Sequence, residues 1–410
     1  MTSAEQALAA AYRADWGRLL ALLLARTRRL DLVEDGLAEA FAQGAARWPV
    51  HGIPANPSGW LYTVANRQII DAIRAEEVAA RKAPLVAVRP GWAAPIDAFG
   101  DEGLPDDRLE LIVLCCHPAL PLASRSALAL RLVMGTPTEQ IARLFLVTTP
   151  TMAARLTRAK RKIVQAGIPL GVPMDVALTA RLDEVCHTVY LAFTAGYTPG
   201  SGPELLRGDL AGEAVRLARI LHDLTPTAPQ VGALLALLTL QHSRRDARVS
   251  QGSLVTLAEQ DRGTWHHEEI EVGLALMAQL PRTQGYAEEL RLQALIAAEH
   301  ARAPSAAQTD WPRIATRYAE LEAVTGSPWV RLNRAVALAE ADSPRSGLAL
   351  LEGLADQFVD QHRFWAVHAD LSARTGATDA ALASYERAIA LCQNDVERRH
   401  LRSRAADLPG

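Results

Sequence analysis

Five cations, Arg155, Arg158, Lys160, Arg161 and Lys162, fall within eight positions at the end of the stretch GTPTEQIARLFLVTTPTMAARLTRAKRKI, residues 135–163. Guanidinium and ammonium groups at helical spacing bind phosphate oxygens, and an arginine that enters a DNA groove can also read a base edge. The surrounding chain is not basic. Its formal net charge is -3, yet residues 108–165 hold nine Lys/Arg against two acids, Glu110 and Glu139. A basic island in an otherwise acidic chain is an electrostatic footprint for one anionic partner, and it argues against wholesale coating of nucleic acid.

Two further clusters invite chemistry and supply less of it. CCH at 115–117 lines up metal-ligand types, but successive helical residues point about 100° apart and do not converge on one ion. Buried small hydrophobes followed by the helix-ending Pro118 is the simpler reading. TWHHEEI, residues 264–270, offers His266, His267 and Glu269, with no third ligand nearby at helical spacing. The four cysteines, Cys115, Cys116, Cys186 and Cys392, form no C-x-x-C pair, so neither a disulfide framework nor a zinc site is expected, and no metal or cofactor.

The cations need a scaffold, and the stretch 135–163 reads as two short helices joined by a tight turn. Thr136 is placed to cap the first, Pro137 to occupy its first helical position and Glu139 to close the capping box. Thr149-Pro150 repeats the cap-plus-proline start. Ile141 and Leu144 then face inward, as do Met152, Leu156 and Ile163. Thr151, Arg155 and Arg158 face outward, with Lys162 one turn further on. This is the layout of a helix-turn-helix. Residues near the start of its second helix, Thr149 and Thr151 among them, approach base edges, and the later cations Lys160, Arg161 and Lys162 meet phosphates. The alternative is a solvated amphipathic helix in a bundle.

The whole chain favours helix. Of 410 residues 49% are hydrophobic, 22% charged and 5% aromatic, with Ala and Leu dominant, so an all-α protein of two or three domains is expected. It has no long apolar span and no basic-then-apolar leader, which predicts a soluble cytoplasmic protein. Residues 1–83 read as three or four helices, beginning with a Ser3-x-x-Gln6 box. Residues 31–49 put Val33, Leu37, Phe41 and Trp48 on one face and Glu34, Asp35 and Glu39 on the other, with Pro49 as the stop. After a loop at His51–Gly59, a helix capped by Ser58 buries Leu61, Ala65, Ile69 and Ile73 and opposes them with Thr63, Arg67, Asp71 and Arg74. Residues 84–107, with four prolines and five acids, form a linker, and 108–168 hold the basic hairpin. Pro169 and Pro173 mark a second boundary. From 174 to 410 the pattern is of paired helices. Ala335, Gly347, Leu351 and Leu354 recur 34 positions later as Ala369, Ala381, Tyr385 and Ala388, the tetratricopeptide period, with Gly376 at a turn. Residues 175–301 are helical by pattern but set no register.

VEDGLAEAF (33–41) and WLYTVANRQIIDAIR (60–74) resemble region 2 of extracytoplasmic-function sigma factors of bacterial RNA polymerase, and the basic hairpin resembles region 4 of the same family. CCHPAL (115–120), YLAFTAGYTPGSG (190–202), LLTLQHSRRDAR (237–248) and EQDRGTW (259–265) narrow the resemblance to the extended subgroup with a tetratricopeptide-like C-terminal region. Two departures stand out: Leu146 where a turn glycine is common, and Thr194-Ala195 where the family usually has Asn-Glu.

The resemblance implies a protein that binds the polymerase core, at the clamp of the largest subunit and the flap of the second, and directs initiation at promoter DNA. By it, Asp35 and Glu39, with Leu37 and Phe41 behind them, contact the core; a solvated acidic face is the alternative. Asn56 and Ser58 of the loop, with Asn66, Arg67 and Arg74 of the next helix, take the melted strand, unless they serve only as turns and caps. Trp60 reads as core rather than as a stacking platform. The linker acids suit a nucleic-acid channel or a plain tether. Residues 174–410 form a regulatory module, with a protein or intramolecular partner, or a stabilising cap. No nucleophile-elbow, P-loop or dinucleotide signature appears there, so no enzyme is expected. A stand-alone helix-turn-helix regulator with a helical sensor domain is the rival reading.

Overall fold

The computed structural model describes residues 3–81, 107–145, 147–165, 176–197, 208–250 and 253–408. The linker expected at 84–107 therefore lies, except for Asp107, outside the described residues, as do Leu146, Pro169 and Pro173. The fold is all-α, and a two-residue antiparallel ladder of β1 (Val249–Ser250) with β2 (Ser253–Leu254) is the one exception among the described residues. The chain divides into two compact units, Met1–Thr188 and Val189–Gly410.

The first unit opens with α1 (Ser3–Thr27), α2 (Leu30–His51) and α3 (Pro57–Arg81), packed pairwise. The stripes expected from 3.6-residue spacing are buried at Val33, Leu37, Phe41 and Trp48 on α2 and at Leu61, Ala65 and Ile69 on α3, while Ile73, further along α3, is half-buried. They close on Trp16, Leu19, Leu20 and Leu23 of α1. Tyr12, Trp16 and Phe41 form an aromatic triangle with centroids 5.0–5.8 Å apart. Gly36 lets α2 and α3 approach, since a Cβ there would meet Ile69 Cγ1 at 2.8 Å.

Two expectations about ends are corrected. Pro49 does not stop α2, which runs to His51 and ends at Gly52, φ +86°; a proline in the last turn forfeits a single intrahelical bond, so the turn still closes. Asn56, not Ser58, caps α3. Its Oδ1 accepts the Gly59 N–H at 2.9 Å, while Ser58 Oγ donates to Asp15 Oδ2 at 2.6 Å and ties α3 to α1.

The same unit continues with α4 (Arg108–Cys115), α5 (Leu122–Leu132), α6 (Thr138–Leu144), α7 (Thr149–Gln165) and the first part of α8 (Val176–Tyr197). Cys115, Cys116 and Cys186 are buried, and desolvation pushes their thiols up, that of Cys116 to about 12. They act as small hydrophobes.

The second unit holds α9 (Gly208–Leu224), α10 (Pro229–His242), α11 (His267–Gln279), α12 (Gly285–Arg302), α13 (Trp311–Thr325), α14 (Pro328–Ala341), α15 (Pro344–Leu351), α16 (His362–Arg374), α17 (Thr378–Leu391) and α18 (Asp395–Ala406). Every residue of α10 from Gln230 to Leu240 is buried, because α9, α11 and α12 surround it. From α12 onward each helix packs on the next. The residues at the 34-position offset are all buried, and a Cβ on Gly347 would meet Ala335 O at 2.7 Å. The offset is thus a repeat of packing as well as of sequence. Gly376, φ +81°, makes the turn between α16 and α17.

The HHEE cluster is a clasp. Glu269 accepts from Arg245 Nη1 at 2.9 Å and lies 3.0 Å from His242 Nδ1, while His266 Nε2 pairs with Asp246 at 2.7 Å. These bonds pin the start of α11 to the end of α10, and His267 is left exposed.

Candidate nucleic-acid interface

The amphipathic pattern of α7 dictates its placement. Met152, Leu156, Ala159 and Ile163 are buried, and Thr149, Thr151, Arg158, Arg161 and Lys162 are exposed. Arg155 is half-buried, its guanidinium 6.0 Å from the Phe145 ring centroid, a cation–π contact that restrains the side chain at the edge of the exposed face. Four cations and two threonines of the expected reading face therefore stand on one helix with a dry opposite side.

The caps differ from expectation. Thr148 caps α7: its Oγ1 lies 3.3 Å from the Thr151 N–H and 2.8 Å from Thr151 Oγ1. Thr149 is already helical. Pro137, in extended conformation, precedes α6. Thr136 is buried and lies one position before Pro137, the residue at the N-cap of α6, where no side-chain cap bond forms.

Lys160 departs from the phosphate-binding set. Its ammonium is held by Glu34 of α2, whose other carboxylate oxygen accepts from Arg131 Nε at 2.7 Å. Glu34 is 7% exposed. Around this triad the two parts of the first unit fit tightly. Tyr12 OH donates to Gly135 O at 2.6 Å, Arg131 lies over the Trp16 ring at 5.7 Å, and a Cβ on Gly17 would sit 2.0 Å from Val133 O. Burial raises the Tyr12 hydroxyl above its ordinary range, so it remains a donor. The sequence pattern puts Glu34 on the polar face of its helix, and the structure buries it. The signal that finds it is its register: it falls at i+4 from Leu30 and at i−3 and i−7 from Leu37 and Phe41, inside the apolar stripe. An acid on such a stripe needs a buried cationic partner, and the basic island supplies two.

Of the residues expected to contact core polymerase, Asp35 and Glu39 are exposed, and Glu39 accepts from Gln43 Nε2 at 3.1 Å. Leu37 and Phe41 are corrected: 0% and 6% exposed, they are core residues with no surface to offer a partner. Of the residues expected to take the melted strand, Arg67 and Arg74 are exposed, Arg74 lying 3.8 Å from Asp71, and Asn66 is half-exposed. Asn56 and Ser58 are occupied by the cap and the α1 tie. Trp60 is half-buried and packs edge-to-face on Trp48 at 5.7 Å.

Residues 110–163 match the family described as Sigma-70, region 4, and residues 181–281 match a family of unknown function (DUF6596). An uncharacterized protein of Rhizobium meliloti (strain 1021) is 38% identical over 384 residues, covering 93% of this chain and 90% of that one. No solved structure matches the chain.

Proposed function

We propose that this chain, which belongs to the same family as the Rhizobium meliloti protein and carries a sigma-70 region 4 domain, is an extracytoplasmic-function sigma factor that binds core RNA polymerase and directs initiation at its own promoters. A sigma region 4 supports a DNA-binding role and, in general, interaction with RNA polymerase and promoter DNA. The observation that carries the finer reading is α7: a helix inside the matched region, dry on one side, with Thr149, Thr151, Arg158, Arg161 and Lys162 exposed and Arg155 at the edge. Exposed Asp35 and Glu39 are the proposed core contacts, and Asn66, Arg67 and Arg74 the proposed contacts to melted DNA.

The second unit is read as a tetratricopeptide-like regulatory module. Its support is the packing repeat at 34 residues and the close approach at Gly347. The proposed role is non-enzymatic and cytoplasmic; no described helix is long and apolar enough to cross a membrane. In-vitro transcription with purified core polymerase on a promoter library tests the proposal. New start sites that depend on the protein support it, and promoter binding that neither needs nor recruits core enzyme favours a stand-alone regulator.

A further inference from the structure

The second unit contains a cavity of about 450 Å³ among its helices, within the size range of small-molecule sites. Two charged residues line it, Arg244 just beyond α10 and Glu289 on α12, and four aromatic ones, Tyr190, Trp265, Tyr318 and Trp329. A gap left by imperfect packing of an Ala- and Leu-rich fold is apolar and stays dry. This one is a cleft that draws a guanidinium, a carboxylate and the amides of Gln293 and Asn333 to one place from separate parts of the unit, with Arg244, Glu289 and Gln293 half-exposed and Asn333 exposed, so its polar groups stay within reach of a ligand.

The wall is organised in advance. Tyr190 OH donates to Gln293 Oε1 at 2.9 Å, and Gln293 Nε2 donates to Glu289 Oε1 at 3.3 Å, so the amide is oriented and the carboxylate is reached by a relay. Trp265 is 4% exposed, and Arg262 lies over its ring at 4.9 Å while donating to the carbonyls of His300 and Ala303. Burial, with Arg244 and Arg262 nearby, lowers His300 to about 3 and leaves it neutral. Burial lifts the Tyr318 hydroxyl to about 12 although the residue keeps part of its surface, as expected of a phenol that opens onto a cavity and not onto bulk water. Trp329, 43% exposed, stands at the rim.

At neutral pH the lining thus offers one positive and one negative group, neutral donors and aromatic faces. Arg244 and Glu289 also engage groups of the protein, so a ligand joins an existing network. A phosphate-rich ligand meets only one cation there and is opposed by Glu289; a purely apolar one strands the polar groups. We propose that the cavity binds a small amphoteric molecule, with a carboxylate toward Arg244, an ammonium toward Glu289 and an aromatic or large apolar group between, as in a free amino acid or a dipeptide. This goes beyond the sigma-factor reading and does not depend on it.

Isothermal titration calorimetry of the full chain tests it, using L-tryptophan, L-phenylalanine, L-leucine, dipeptides of these residues, the single-pole controls 3-phenylpropionate and phenethylamine, and ATP. The expected result is saturable binding of at least one amphoteric probe with Kd below about 1 mM, weakened about tenfold or more in the single-pole controls and in Arg244→Gln and Glu289→Gln. The free amino acids and dipeptides distinguish the two sources. Asn333→Ala, with circular dichroism on each variant, covers the case in which a charge variant fails to fold. No amphoteric binding at that concentration, equal binding of a single-pole control, preference for ATP, or undiminished binding in the folded variants overturns the proposal.

Discussion

Glu34 on α2 holds the ammonium of Lys160 on α7, although 126 positions separate them. The same carboxylate takes Arg131, so one buried acid pairs with two members of the basic island. A cation held this way is not available to a phosphate until the pair opens. Arg158, Arg161 and Lys162 stay on the surface and Arg155 at its edge, and the pair therefore sets how much of the helix's charge DNA can use.

Glu34→Gln is expected to lower the stability of the first unit by about 1–3 kcal/mol, below the cost of breaking a fully buried pair because Arg131 and Lys160 retain 19% and 28% of their side-chain surface. In the same variant Lys160 becomes free to meet DNA, and the slope of log K against log salt steepens by up to about one. Chemical denaturation and salt-dependent DNA binding measure the two effects; an unchanged slope shows that Lys160 takes no part in binding.

Arg155 and Lys162 should separate by specificity. Arg155→Ala is expected to cost about 1–3 kcal/mol on the preferred promoter and to relax preference at one base position. Lys162→Ala should weaken all duplexes alike and reduce the salt slope by about one. Competition binding across promoter variants checks both, and equal losses on every sequence remove Arg155 from base reading.

Much of α7 was legible because its information is local: a run of 17 residues with apolar positions at helical spacing fixes which side is dry. The triad around Glu34 was not, since it depends on the meeting of segments far apart in the chain. The caps failed for a nearer reason. Thr136 and Ser58 are good capping residues, but α6 begins one position too late for Thr136, and Ser58, already inside α3, gives its hydroxyl to Asp15, a tertiary bond that outweighs a local preference. Leu37 and Phe41 belonged to a face that can either cover a core or meet a partner. Sequence alone does not choose; Trp16 and Tyr12 do.

Gly17→Ala places a methyl 2.0 Å from Val133 O, where backbone must move, and is expected to destabilise by about 1–3 kcal/mol. Gly212→Ala, inside α9 with its nearest neighbour at 3.7 Å, should be neutral or stabilising by up to about 1 kcal/mol. Thermal unfolding of the pair tests whether the tight fit at Val133 is real; equal effects would deny it.

His300 imposes a pH dependence on the second unit. Its folded value is depressed from the ordinary 6.5 to about 3. Between those values the unfolded chain binds the extra proton and the folded one does not, so stability falls as pH drops through that interval, by at most about 1.4 kcal/mol per pH unit. Glu269, Glu288, Glu322 and Glu397 are held below the ordinary carboxylate range and act at lower pH. Comparing the native chain with His300→Gln between pH 5 and 6.5 should show a flatter slope in the variant. Identical slopes assign the dependence to other groups.

The proposed role of the chain is to hand promoter specificity to RNA polymerase. Its most direct measurement is start-site mapping after in-vitro transcription with core enzyme and a promoter library, run with the native chain and with Arg155→Ala. New start sites that require the protein, and that weaken or shift in the variant, are the predicted result. Absence of any association with core enzyme, together with an unchanged set of start sites, contradicts it.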